Sequence, residues 1–234
     1  MTYLRLCVGA VLISGCSLIQ PDVTNFDLTL PDKSFSVDAS GWQVTQQQAD
    51  AFLSTSCSSD SICSSAASTA CPMNCTGKCG NASRCNLFLN VSVYKSVDLL
   101  MEKPELKSID DQPVIKVTID RVQYAVTANT LNIPTPVLGV YVAPVNVMDP
   151  YSAMATQIGT VDMVPAGATI AARDMNYTTN GKQALIDIMS TYKNPFNVIV
   201  GTGPGIEPIV LMSGSQVPMG KLDAVIRIMA HAGL

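Results

Sequence analysis

Apolar and polar positions alternate over short stretches along most of the chain, the period expected of half-buried strands. Phe26, Leu28 and Leu30 alternate with polar neighbours, and Phe35 and Val37 do so after Pro31-Asp32-Lys33, which predicts two short strands around a turn. Thr45-Gln46-Gln47-Gln48 has the form of a capping box, with Ala49, Phe52 and Leu53 behind it, so a short helix is expected there. From Leu87 the alternation resumes through Leu89, Val91 and Val93. Ile115, Val117 and Ile119 then occupy odd positions and Val122, Tyr124 and Val126 even ones. That slip of phase at Asp120-Arg121 predicts a bulge or a bend, because a side chain displaced by one residue changes face. Further strands are expected over Val137–Ala143, Ile158–Val164, Thr169–Met175, Phe196–Val200, Ile206–Met212 and Leu222–Ala230.

One stretch after residue 87 has helical period instead. Ala184, Leu185, Ile188 and Tyr192 recur at its spacing, Thr178-Thr179-Asn180 offers caps, and Asn194-Pro195 stops it. Ile186 and Met189 widen its apolar face, which suits packing across an open end of a sheet pair better than binding a partner. Many short strands, Pro and Gly turns and one or two short helices predict a mainly β protein, an immunoglobulin-like β-sandwich. Residues 25–53 belong to it as N-terminal strands and a short helix, and 87–234 form its main body.

Residues 54–86 break the pattern. Large aliphatics almost vanish, Ser, Ala, Asn and Gly dominate, and Cys57, Cys63, Cys71, Cys75, Cys79 and Cys85 follow at spacings of x5, x7, x3, x3 and x5. Such a segment has no core of its own and is expected to be a disulfide-stapled insert. The pairing is left open by the spacing. A metal or iron–sulfur site on Cys71, Cys75, Cys79 and Cys85 is the competing use of the same sulfur. It is disfavoured by the lack of a C-x2-C knuckle and of a nearby histidine, and Pro72 and Gly77 argue against the helix that would align them.

The start of the chain sets the compartment. One positive charge at Arg5, an apolar run from Leu6 to Ile13 and small residues before Cys16 have the layout of a secretory signal too short to span a bilayer. Ile13-Ser14-Gly15-Cys16 resembles the lipobox of bacterial lipoproteins, with Ile in place of the commoner Leu. The resemblance implies that residues 1–15 are removed, that Cys16 carries a diacylglyceryl thioether and an acylated amine, and that 16–24 form a lipidated tether. Ser17, where Asp would mark inner-membrane retention, places the protein at the outer membrane in preference to the inner. An exported chain meets oxidising conditions, which turns six cysteines towards bridges. In that setting the Asn-x-Ser/Thr sequons at Asn74, Asn81, Asn90 and Asn176 carry no meaning.

Composition narrows the partners. With 47% hydrophobic and 14% charged residues and a formal net charge of −4, the chain suits a filled core and has no basic stripe for nucleic acid. The membrane is its expected partner, through the lipid anchor, with a protein or a hydrophobic ligand as a second. Chemistry is hard to place. His231, the lone histidine, falls in phase with Asp223 and Arg227 on a polar face near the C-terminus, with no nucleophile elbow elsewhere. Gly201-Thr202-Gly203-Pro204-Gly205 lacks the Gly-Lys-Ser/Thr of a phosphate loop and reads as a turn between strands. Glu102, Glu105, Asp110 and Asp111 share a connector with Lys103 and Lys107, where solvated ion pairs are expected. No catalytic, cofactor or metal residues are therefore assigned. The expectation is a non-enzymatic, lipid-anchored envelope protein acting as a structural or binding module. The alternatives are a carrier of a hydrophobic ligand within the sandwich and, further off, a carboxylate- or metal-dependent enzyme.

Overall fold

The computed structural model of the chain describes residues 25–80, 83–109 and 115–233, so the signal, the tether and Cys16 lie outside the described residues. Two antiparallel sheets of five strands face each other, and a third, three-stranded sheet carries the cysteine-rich segment. The first sheet holds β1 (Asn25–Asp27), β2 (Lys33–Asp38), β6 (Lys116–Asn129), β9 (Ile170–Asp174) and β13 (Lys221–Gly233). The second has the order β10 (Asn176–Tyr177), β8 (Thr156–Val161), β7 (Leu138–Pro144), β11 (Phe196–Gly201) and β5 (Ser92–Val97). This is the mainly β sandwich that the alternation predicts.

The longest ladder, β6 against β13, is the spine of the first sheet. Met229 stands opposite Arg121 and Ala230 opposite Ile119, which leaves Asp120 unpaired as a bulge at the predicted phase slip. A second irregularity skips Thr127, between the pairs Asp223↔Ala128 and Ala224↔Val126. Each extra residue lets apolar side chains on both sides of it reach the same interior: Val117, Ile119, Val122, Tyr124 and Val126 are all buried.

The two short strands expected around the Pro31 turn are formed. The turn at Pro31 does not fold β1 and β2 into a hairpin. Both run along one edge of β13, β2 against Lys221–Ile226 and β1 against His231–Gly233, and Leu28 and Leu30 donate to Ala230 and Ile228 between them. Pro31 interrupts the ladder at an edge, where its missing N–H costs little.

The interior between the sheets is lined by Phe35, Val37, Tyr124 and Leu222 from one side and Val93, Leu138, Val161 and Val200 from the other. α4 (Gly181–Ser190) closes one end by burying Leu185 and Met189. Asn180 is its N-cap without a side-chain hydrogen bond; Thr178 instead accepts from Gly181 through its carbonyl and donates its hydroxyl to Gln157. β7 and β11 are buried on both faces because residues 145–155 fold over the outside of the second sheet. There Tyr141, Ala143, Val147 and Ile199 form a small second core, and Asn197 Nδ2 donates to the carbonyls of Val145 and Val147 at 2.9 and 2.8 Å.

Candidate functional site

The part of the molecule with a chemistry of its own is the cysteine-rich segment and its junction with the sandwich. α1 (Gln46–Leu53) opens on Thr45, and the reciprocal Thr45–Gln48 capping box read from the sequence is formed. α2 (Asp60–Ala70) follows, a helix not expected from the apolar pattern because its buried stripe consists of Cys63, Ala67 and Ala70, without one large aliphatic. β3 (Cys75–Cys79) and β4 (Cys85–Leu89) form a hairpin, and β4 also pairs with β12 (Ile209–Leu211). The insert is thus knitted into the body by a strand from beyond residue 200. With α3 (Leu99–Glu102), four α-helical segments stand among the described residues where one or two were expected.

Leu87–Val93, read as one strand, is in fact divided. β4 ends at Leu89 and β5 begins at Ser92, so the chain changes sheet at Asn90-Val91. That corner is held by Trp42 Nε1, which donates to the Asn90 carbonyl at 2.8 Å, and by Thr202. The Thr202 hydroxyl accepts from Val91 N at 3.0 Å and lies 3.3 Å from its carbonyl. Thr202, a buried side chain in the Gly201–Gly205 turn, therefore serves the fold as a corner brace, and Ile206 N closes the turn onto Gly203.

The six cysteines form three disulfides: Cys57–Cys79, Cys63–Cys85 and Cys71–Cys75. Two of them tie the α2 segment to the β3–β4 hairpin, and the third joins the C-cap of α2 to the start of β3. Cys63 and Cys85 are fully buried, whereas Cys79 is exposed and Cys57 partly so. Gly77 is where β3 passes under α2; a Cβ there would run into the Cys63 carbonyl and the Phe52 ring. The sulfur atoms of Cys57, Cys63 and Cys79 lie within 4.8 Å of one another. This grouping is not the Cys71, Cys75, Cys79 and Cys85 set that the spacing suggested for a metal.

Charged groups occur as scattered pairs. Lys33 binds Glu102 with both side chains largely buried, and Lys103 lies 3.5 Å from Asp27. Glu102 and Lys103 of the connector thus reach across to the N-terminal strands; Asp110 and Asp111 lie outside the described residues. Asp32 receives two bonds of 2.7 Å from Arg227, which hold its carboxyl below the ordinary range. Asp27 is lowered as well, first by hydrogen bonds from Thr29. His231 is exposed on the polar face, as its phase predicts: it sits in β13 opposite Thr118 with Nδ1 3.2 Å from Asp120. The bulge that places Asp120 there is what sequence inspection of His231 alone did not connect to it. Tyr141 has its hydroxyl between Gly139 and Gly203, and burial, then Tyr151, pushes its phenol up to about 12.

Two spaces bear on ligand binding. The cavity between the sheets, lined only by apolar side chains, has a volume of about 30 Å³, room for roughly one water and too little for an acyl chain. An open groove of about 870 Å³ runs outside, between Asp38–Gln46 and the Gln216–Lys221 segment. Gln46 spans it, accepting from Val217 N at 2.9 Å and donating to the Ser215 carbonyl at 3.1 Å. No helix among the described residues is long and apolar enough to cross a membrane.

No protein-family model and no curated protein matches this chain. Among solved structures it is similar to a chain of the Israeli acute paralysis virus full particle heated to 63 degrees. The identity is 10%, covering 100% of this chain and 85% of that one, at a TM-score of 0.26. A chain of the native Kashmir bee virus virion at neutral pH gives 9% identity, 100% and 84% coverage and the same TM-score of 0.26. The Israel acute paralysis virus pentamer gives 12%, 86% and 88%, again at 0.26. Likenesses this distant bear on neither fold nor function.

Proposed function

We propose that the protein is a lipid-anchored, non-enzymatic component of the bacterial cell envelope. It acts as a structural or binding module held to the outer membrane through Cys16. The observation that carries this reading is the state of the sulfur: all six cysteines of the insert pair as disulfides, behind a start that resembles a lipoprotein signal. Such frameworks persist in oxidising compartments, and a lipobox-like cysteine ahead of them is what an export and anchoring route would leave there. The contact surface is assigned to the insert and the loops beside it, since rigid sheets present function on their connections. Within it, the shallow groove between α1 and α2, lined by Gln48, Ala51, Phe52, Ala66 and Thr69, leaves apolar atoms open to a partner.

The test is detergent phase separation of the full-length chain produced in a bacterial host. The parent is expected in the detergent-rich phase and Cys16→Ser in the aqueous phase, because removing the acylated sulfur removes the tether. If the parent itself enters the aqueous phase, the anchor is wrong. Equal retention of Cys16→Ser in the detergent phase would contradict it too.

A further inference from the structure

Two disulfides that share one pocket of sulfur atoms need not be inert to one another. We propose that Cys57–Cys79 and Cys63–Cys85 form a thiol–disulfide exchange site whose substrate is an external thiol, either a small-molecule thiol or a protein dithiol. The pair would interconvert with Cys57–Cys63 and Cys79–Cys85. This rests on the pairing in the structure and is independent of the membrane anchor.

Three observations place the site. Cys57, Cys63 and Cys79 have their sulfurs within 4.8 Å of one another, so a thiolate freed at Cys57 stands next to the buried bridge. Cys79 and Cys85 are direct cross-strand partners in the β3–β4 ladder. Such partners have Cα atoms about 4.5–5.5 Å apart, inside the range a disulfide spans. Access is graded: Cys79 faces solvent, Cys63 and Cys85 do not. An incoming thiol therefore meets the outer bridge first.

Access sets the direction of opening, because the exposed Cys79 sulfur is the one an external thiol reaches. Asp60 accepts a bond from the Cys79 backbone N–H at 2.8 Å, which ties the start of α2 to the end of β3 beside the outer bridge. Attack on Cys79 by the external thiolate gives a mixed disulfide there and releases Cys57 as thiolate. Cys57 attacks Cys63, forming Cys57–Cys63 and releasing Cys85. Cys85 then attacks the mixed disulfide at Cys79, forming Cys79–Cys85 and returning the external thiolate. Two disulfides are present before and after, so no electrons are consumed and the thiol is regenerated.

The two pairings differ in what they hold. In the first, the bridges tie the α2 segment to the hairpin. In the second, one bridge closes within the stretch that leads into α2 and the other within the β3–β4 hairpin, and the only disulfide left between α2 and the hairpin is Cys71–Cys75. The face that Cys63, Ala67 and Ala70 bury against β3 is then free to swing away from Gly77 and Phe52.

The experiment is disulfide mapping of the intact protein after native incubation with a glutathione redox buffer and acid quenching. Cleavage before Asp60 and after Lys78 and Arg84 separates Cys57, Cys63, Cys79 and Cys85 onto different peptides. Peptides linked Cys57–Cys63 and Cys79–Cys85 are expected, with Cys71–Cys75 unchanged. In the double variant Cys57→Ser, Cys79→Ser, checked for folding by circular dichroism, the relay is lost and Cys63–Cys85 persists. A glutathione adduct at Cys79 without rearranged peptides would overturn the proposal. So would a protein on which glutathione leaves all three original links untouched, or a double variant whose buried bridge opens as fast as the parent's.

Discussion

Replacing Cys63 and Cys85 together by alanine is expected to lower the stability of the chain by about 2–4 kcal/mol, the usual worth of a bridge that closes a loop of this kind. The two are separated by 22 residues in sequence and both sulfurs are fully shielded from water. Their bond joins the first turn of α2 to the first residue of β4, and α2 has little apolar surface of its own to pack there: its buried stripe is one cysteine and two alanines. Urea unfolding, with and without the substitutions, measures the loss. The same replacement at Cys71 and Cys75, only four residues apart, is expected to cost less because the loop it closes is shorter. Equal midpoints for the parent and the Cys63/Cys85 variant would mean that α2 and the hairpin stay together without that bond.

Trp42→Ala should be as damaging, at about 3–5 kcal/mol, the range for truncating a large buried aromatic side chain. Trp42 is 4% exposed and occupies the junction between α1, the insert and the sandwich. Its indole N–H holds the Asn90 carbonyl, at the point where the chain leaves the third sheet for the second. Trp42→Phe keeps one aromatic ring while removing that bond and part of the indole's packing, for a smaller expected loss of about 1–3 kcal/mol. Because Trp42 is the lone tryptophan, circular dichroism and not intrinsic fluorescence has to follow both variants. Comparable losses for the two would show that the ring Phe retains contributes little, contrary to this account.

Much of the first sheet was legible before any coordinates. The shift from Ile119 to Val122 in the apolar phase marked the bulge at Asp120, because burial forces each side chain to declare its face. The Thr45–Gln48 box was legible for a similar reason: it is a local hydrogen-bond pattern written in four consecutive residues. What escaped was non-local or made of small residues. α2 has no aliphatic period, since its partners are sulfur and methyl groups. Leu87–Val93 keeps its alternation straight through a change of sheet, and only Trp42 and Thr202, distant in sequence, reveal the corner. The edge-to-edge course of β1 and β2 along β13 depends on a strand two hundred residues away. The candidate site was half visible: the six cysteines and their fate as bridges could be read, but their partners are chosen by the packing of α2 on β3, which spacing does not encode.

A count of reactive thiols on the protein, isolated from its own compartment and denatured without reductant, bears most directly on the whole account. Alkylation should leave Cys57, Cys63, Cys71, Cys75, Cys79 and Cys85 unlabelled until a reductant is added. Labelling of all six before reduction would contradict it, because the segment would then be a set of free thiols and the stapled insert would not exist.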